Sequence, residues 1–231
     1  SSSVLGYVTD TLKSFLTGRG QVITFSGVDG VGKTTVMDIV IKQLTKKYRK
    51  EVVQLRHRPG ILPIISSIKY GSRQKAEQAS SMQLPRQGSN KSTVSSVLRF
   101  SYYFTDYIIG QFYIYLKYTL RGKIVVYDRY YFDFINDSQR SNIKLDKGII
   151  KSLYRFIHKP AYNFYLYHEP DVILQRKKEL SHDEIVELNN SYQQLFNEYQ
   201  TKASKANYIQ VKNDKLEDTI VTIMNQLKNI A

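Results

Sequence analysis

The stretch Gly27-Val28-Asp29-Gly30-Val31-Gly32-Lys33-Thr34 constrains this chain more than any other. It has the form G-x-x-x-x-G-K-[ST], with the β-branched run Gln21–Ser26 before it and Val36, Ile39, Val40 and Leu44 at helical spacing after it. A buried strand that turns through glycines into a helix aims successive N–H groups and the helix N-terminus at one point, which suits phosphate oxygens. On this reading Gly27, Asp29, Gly30, Val31, Gly32, Lys33, Thr34 and Thr35 line the phosphates of a nucleoside triphosphate. Lys33 reaches the β- and γ-phosphates, and the Thr34 hydroxyl suits Mg²⁺.

Strands and helices alternate around that turn. Gln21–Ser26, Glu51–Arg56, Lys123–Asp128, Ala161–Tyr167 and Asn207–Val211 read as strands. Lys33–Tyr48, Thr93–Leu120 with a break near Gly110, Asp146–His158, Asp171–Leu180 and Leu216–Leu227 read as helices. Ser181-His182-Asp183-Glu184 is a capping box, opening a further helix to about Ala203. The alternation implies an α/β fold with a parallel sheet covered on both faces. Residues 66–96, rich in Ser, Gln, Lys and Gly, read as a mobile loop. Val4, Leu5, Val8, Leu12, Phe15 and Leu16 give residues 1–20 the character of an N-terminal helix or linker ahead of a domain over 21–231.

With no cysteine, the chain has no disulfide, thiolate metal site or cysteine nucleophile, and its four scattered histidines do not suggest a histidine metal site. No apolar run approaches the ~20 residues of a membrane span, and no signal-peptide pattern is present, so a cytoplasmic location is expected. A domain fused ahead of Ser1 and a homodimer both stay open. The net charge of +14, from 34 Lys+Arg against 20 Asp+Glu, asks for an anionic partner.

The residues that accompany the phosphate loop narrow the chemistry. A guanine-reading N-K-x-D is absent, and Lys212-Asn213-Asp214-Lys215 has the wrong order. The strand Val125-Val126-Tyr127-Asp128-Arg129 ends in an acid followed by Arg rather than Glu. That pair offers metal organisation and a phosphate clamp but no water activator, which favours phosphoryl transfer to a bound acceptor over hydrolysis. The blocks at 27–35, Arg58-Pro59-Gly60, Asp128-Arg129-Tyr130 and Pro170–Lys177 stand in thymidylate kinase order, and from residue 20 to 225 the chain resembles that family of P-loop kinases. The resemblance implies a P-loop NTPase-type three-layer fold with a five-stranded parallel sheet and a mobile lid, here about 171–185. It also implies ATP as donor, Mg²⁺ as cofactor and a nucleoside monophosphate, dTMP by default, as acceptor.

The resemblance places Asp29 near the acceptor sugar, although the same carboxylate could simply brace the loop. Where some members carry Arg, this chain has Gly30, so charge on the transferring group must come from the lid, with Arg176 chosen over Lys177 and Lys178. Asp128 organises the metal with Thr34 or takes the acceptor's proton, and Arg129 bridges donor and acceptor; with Lys33 and Arg176 these form the catalytic set. Arg56, His57 and Arg58 make a positive corner for the acceptor phosphate, shifted by one position from the family's Arg-Glu-Pro-Gly. The helical Arg of the family is replaced near Asp106-Tyr107, although Arg99 lies two turns earlier. Asp133 and Asn136-Asp137-Ser138 also depart from the family, and Asp133 and Asp137, if helical, would bind hydroxyls.

Two other functions follow from these departures. One keeps the kinase and makes the acceptor a sugar, glycan end or other polyol, stacked on the aromatic 98–118 helix. The other is a nucleic-acid-binding module, suggested by the charge and the 19 tyrosines. Nucleic acid is disfavoured because no RNA-binding or helix-turn-helix signature is present and the basic residues are spread along the chain.

Overall fold

The computed structural model describes residues 20–62, 93–202 and 205–230. The helix expected over 4–16 and most of the loop expected over 66–96 lie outside them. Five strands, β1 (Val22–Gly27), β2 (Val52–Arg56), β3 (Ile124–Asp128), β4 (Tyr162–Tyr167) and β5 (Asn207–Lys212), form one sheet in the order β2-β3-β1-β4-β5, every pair parallel. Among the described residues the α-helices are α1 (Lys33–Tyr48), α2 (Thr93–Lys117), α3 (Tyr131–Asn136), α4 (Lys147–Leu153), α5 (Pro170–Arg176), α6 (His182–Lys202) and α7 (Leu216–Gln226).

The period of two along the strands divides the core into layers. Ile23, Phe25, Ile124, Val126, Phe164 and Leu166 face α1 and α7, meeting Val36, Met37, Val40, Ile220 and Ile223. Their neighbours Val22, Val125, Tyr127 and Tyr165 point the other way, against Phe100 and Tyr107 of α2, Tyr131 and Phe132 of α3, and Tyr192 and Phe196 of α6. The second layer is mostly aromatic, so many of the tyrosines are core residues: Tyr165 stacks on Tyr192 at 4.7 Å, and Tyr154 and Tyr208 join hydroxyls at 2.9 Å. Parallel register brings Gly27, Asp128 and Arg56 to the same edge of the sheet. No helix among the described residues is long and apolar enough to cross a membrane.

Three helices differ from expectation. The helix expected over 171–180 spans Pro170–Arg176 and ends where Lys177 turns to extended backbone. The expected helix over 146–158 stops at Leu153, and a 3-10 turn follows at Tyr154–Phe156. Lys159 Nζ donates to the carbonyls of Tyr154, Arg155 and Ile157, capping the chain end there.

The break expected near Gly110 is absent, since α2 runs unbroken from Thr93 to Lys117. Gly110 is there for space: an added Cβ would lie 2.2 Å from Pro59 Cβ and 2.4 Å from its Cγ. Tyr103, Asp106, Tyr107 and Gly110 share one helical face, spaced i, i+3, i+4, i+7. That face holds the turn after β2. Substituting Gly110→Ala is expected to lower stability by about 1–3 kcal/mol, because the rigid proline ring has to move. Chemical denaturation checks this, and an unchanged midpoint would contradict the packing argument.

Candidate active site

The loop between β1 and α1 is shaped by its glycines. Gly30 and Gly32 have φ of 91° and 90°, in the left-handed region that favours glycine. Space is also short, since a Cβ on Gly32 would sit 2.7 Å from Asn213 Nδ2. Asn213, just past β5, is buried and donates from Nδ2 to the Val31 carbonyl at 2.7 Å, pinning the loop from the side. Gly27 and Val31 are buried, whereas Thr34 and Thr35 are exposed on the first turn of α1. We expect Asn213→Leu to raise the KM for ATP by about tenfold, with kcat less affected, because a buried carbonyl loses its donor. Initial-rate kinetics test this, and a wild-type KM would remove Asn213 from the loop's support.

Lys33 is 8 % exposed and its Nζ bonds Asp128 at the end of β3. Burial lowers the affinity of this ammonium for its proton, Arg129 adds repulsion, and Asp128 offsets part of both. Arg129 has φ 73°, fixed by its N–H bond to the Phe25 carbonyl at 2.8 Å. Its guanidinium is buried, donating to Asp29 and, at 2.7 Å, to Asp133. Arg140, in the 3-10 turn Ser138–Ser141, donates to the other oxygen of Asp29. Burial alone would raise the Asp29 pKa, but Arg129 and Arg140 hold its carboxyl well below the usual range.

Asp133 is placed differently from expectation. It is 1 % exposed, and both oxygens are engaged inside the protein, Oδ1 by Arg129 and Tyr192 (2.9 Å) and Oδ2 by Ser26 and the Tyr130 N–H (3.1 Å each). Burial opposes its charge, yet Arg129 above all, with the Tyr130 N–H, keeps its pKa below the ordinary carboxylate value. Such a carboxylate orients Arg129 and has no lone pair turned toward a ligand hydroxyl. Asp137 lies beyond the end of α3 with φ −134°, off the helix, and lines a small polar cleft of about 230 Å³ beside Glu184 and Ser191. The shared helical face supposed for Asp133 and Asp137 is therefore absent.

The corner after β2 is tied to α2. Asp106, fully buried, accepts from Arg58 at 2.8 Å and from the N–H groups of Gly60 and Leu62 at 2.9 and 2.7 Å. Arg58 also lies over the Tyr103 ring at 5.2 Å, and Tyr107 donates to the His57 carbonyl. Asp106 thus orients an arginine from another element. His57 takes φ 65° and packs on Phe134 at 4.7 Å. Burial, aided by Arg129, Arg140 and Arg58 against Asp133, pushes the His57 imidazole down to about 4, so it is neutral at pH 7. Arg56 is exposed at the strand end, and Arg99 is half-buried with its Nε unpartnered among the described residues.

α5 covers the phosphate loop from above. Ile173 packs with Val28 and Ile185, and a Cβ on Gly30 would meet Lys177 Cβ at 3.1 Å and the Ile173 carbonyl at 3.2 Å. A side chain at 30 would need this helix to give by a few tenths of an ångström and would have to take a φ of 91°, so the position favours glycine. Arg176 ends α5 with Nη1 3.7 Å from where a Gly32 Cβ would be, directly over the loop. The fold thus brings Lys33, Asp128, Asp29, Arg129 and Arg176 together with Arg140 and Asn213, while Asp106 orients Arg58 at the corner after β2; these last three were not anticipated from the sequence as parts of the site. Asp106 carried a sequence signal as a departure from the resemblance, and Asn213 by its place immediately after the last strand, whereas Arg140 carried none.

No set of three or more His, Asp or Glu side chains able to hold a metal occurs among the described residues. The exposed Thr34 hydroxyl and the Asp128 carboxylate, 17 % exposed, fit a Mg²⁺ that takes its remaining ligands from phosphate and water.

Comparison with known proteins agrees with this geometry. A thymidylate kinase from Ehrlichia chaffeensis superposes with a TM-score of 0.58 at 16% identity, covering 91% of this chain and 99% of that one. The family model described as thymidylate kinase matches residues 25–222, from the end of β1 into α7. The chain therefore belongs to the thymidylate kinase family, and with it to the ATP-dependent nucleoside monophosphate kinases.

Proposed function

We propose that the chain transfers the γ-phosphoryl group of ATP to a nucleoside monophosphate, dTMP being the first acceptor to test. The supporting observation is the convergence of Arg129, Arg140 and Arg176 with Lys33 around one glycine loop, all at the carboxyl edge of a parallel sheet. An acceptor phosphate oxygen attacks the γ-phosphorus while its bond to the β–γ bridging oxygen breaks, and ADP leaves. Lys33 holds the β- and γ-oxygens, and in reaching them exchanges its contact with Asp128. Arg129, aimed by Asp133, faces the seam between the two substrates, and Arg176 closes the loop from the lid side and excludes water. Arg58, aimed by Asp106, and exposed Arg56 hold the acceptor phosphate. A bound Mg²⁺, held by Thr34 and Asp128, would neutralise charge on the phosphate oxygens.

Of the features behind the polyol reading, Asp133 is consumed by internal bonds and Phe100 and Tyr107 belong to the core, whereas Phe112, Tyr113 and Tyr115 of the same helix are exposed. A coupled ADP-release assay over dTMP, dUMP, UMP, CMP, AMP and GMP, with free sugars as controls, tests the proposal. Turnover with sugars and none with nucleotides would overturn it.

A further inference from the structure

At the opposite edge of the sheet lies a cavity of about 610 Å³ that the phosphate-transfer site does not use. It opens where the chain enters β4 and β5, between α4 with its 3-10 extension and the end of α6. Strand length puts it roughly 15–20 Å from the phosphate loop. Three tyrosines, Tyr154, Tyr199 and Tyr208, form its floor. Tyr154 and Tyr199 are stacked at 4.9 Å and Tyr154 is hydrogen-bonded to Tyr208, so the floor is preformed and rigid.

The rim is strongly basic. Lys151, Arg155, Lys159, Lys202 and Lys205 face the cavity with a single carboxylate, Glu198. Glu198 already holds two of them, bonding Lys151 and, at 2.8 Å, Lys202. Lys159 is held by backbone carbonyls, and no carboxylate among the described residues pairs with it or with Arg155. The side-chain charge around this cavity is therefore far from balanced. Its size is that of a small-molecule site. Cations beside the partly exposed Tyr199 ring, which Tyr154 backs at 4.9 Å, match a ligand with a flat ring at one end and phosphate at the other.

We propose that this cavity is a second, non-catalytic site for a nucleoside phosphate, distinct from the phosphate loop. The test is isothermal titration of the full chain with ADP, inorganic phosphate and a short oligothymidylate, at low and high salt. The comparison protein carries Arg155→Gln and Lys202→Gln, both exposed positions whose change leaves the core intact. The expected result is two ADP sites per chain, one of them weakened about tenfold or more in the double variant while the other persists. Steady-state turnover of the double variant stays within a factor of about two, because neither residue touches the transfer site. A single ADP site, or a second site indifferent to the two substitutions, would overturn the proposal. So would inorganic phosphate binding as tightly as ADP, which would make the rim a general anion trap. Oligothymidylate binding far more tightly than ADP, with a steep salt dependence, would reassign the surface to single-stranded nucleic acid.

Discussion

Replacing Lys33 with methionine is expected to lower kcat/KM for phosphoryl transfer by about a thousandfold, the scale of losing a donor aimed at transition-state charge. The ammonium is almost buried and its pKa is held down by burial, so its positive charge is expressed close to the transferring group with little screening by water. Methionine fills a similar volume, and Asp128 keeps some contact with solvent, so stability should change by no more than ~1–2 kcal/mol. Coupled ADP release and urea unfolding on the same preparation separate the two effects. A folded Lys33→Met protein with wild-type turnover would contradict the assignment of the loop.

Replacing Arg129 with methionine should have the largest effect on stability, about 3–5 kcal/mol, because it leaves two carboxylates without their shared cation. Asp133 is the more severe of the two, being almost wholly enclosed, whereas Asp29 retains Arg140. The pH dependence has a definite sign. Both folded carboxyls lie below their ordinary value of 3.8, so they contribute their full stabilisation above that pH and lose it as the pH falls further. Without Arg129, burial dominates at Asp133 and raises its pKa, moving the acid limb of the stability curve upward. Urea midpoints measured from pH 7 down to 4 follow this shift. Asp133→Asn in the same background should recover part of the loss, a coupling that a purely steric role for Arg129 would not produce. Equal midpoints for wild type and Arg129→Met would sink the argument.

The positions that could be read from the sequence owe their legibility to local rules. A glycine loop between a β-branched run and an amphipathic helix permits few backbone paths, and β1, the loop and α1 follow from it. The capping box at Ser181 formed as expected, with the Ser181 N–H donating to Glu184 at 2.7 Å and the Glu184 N–H returning to Ser181 Oγ at 3.3 Å. The short α3 was harder to see, because its run Tyr131, Phe132, Asp133, Phe134 and Ile135 is buried on all sides, leaving no apolar period to detect. Gly110 misled for a related reason: a glycine inside a helix marks a break or a close contact equally well, and only the position of Pro59 tells which.

Local sequence was enough to specify the donor half of this protein: the phosphate loop, the acid–arginine end of β3 and the alternation that makes a parallel sheet. These depend on residues adjacent along the chain, where backbone geometry and hydrophobic period suffice. Which charges meet is a property of the folded chain alone. Asp29 and Arg140 are 111 residues apart, Val31 and Asn213 are 182 apart, and Arg58 finds Asp106 across 48. Whether a carboxylate serves a ligand or an arginine depends on which partners folding buries beside it, and Asp133 was resolved in favour of the arginine.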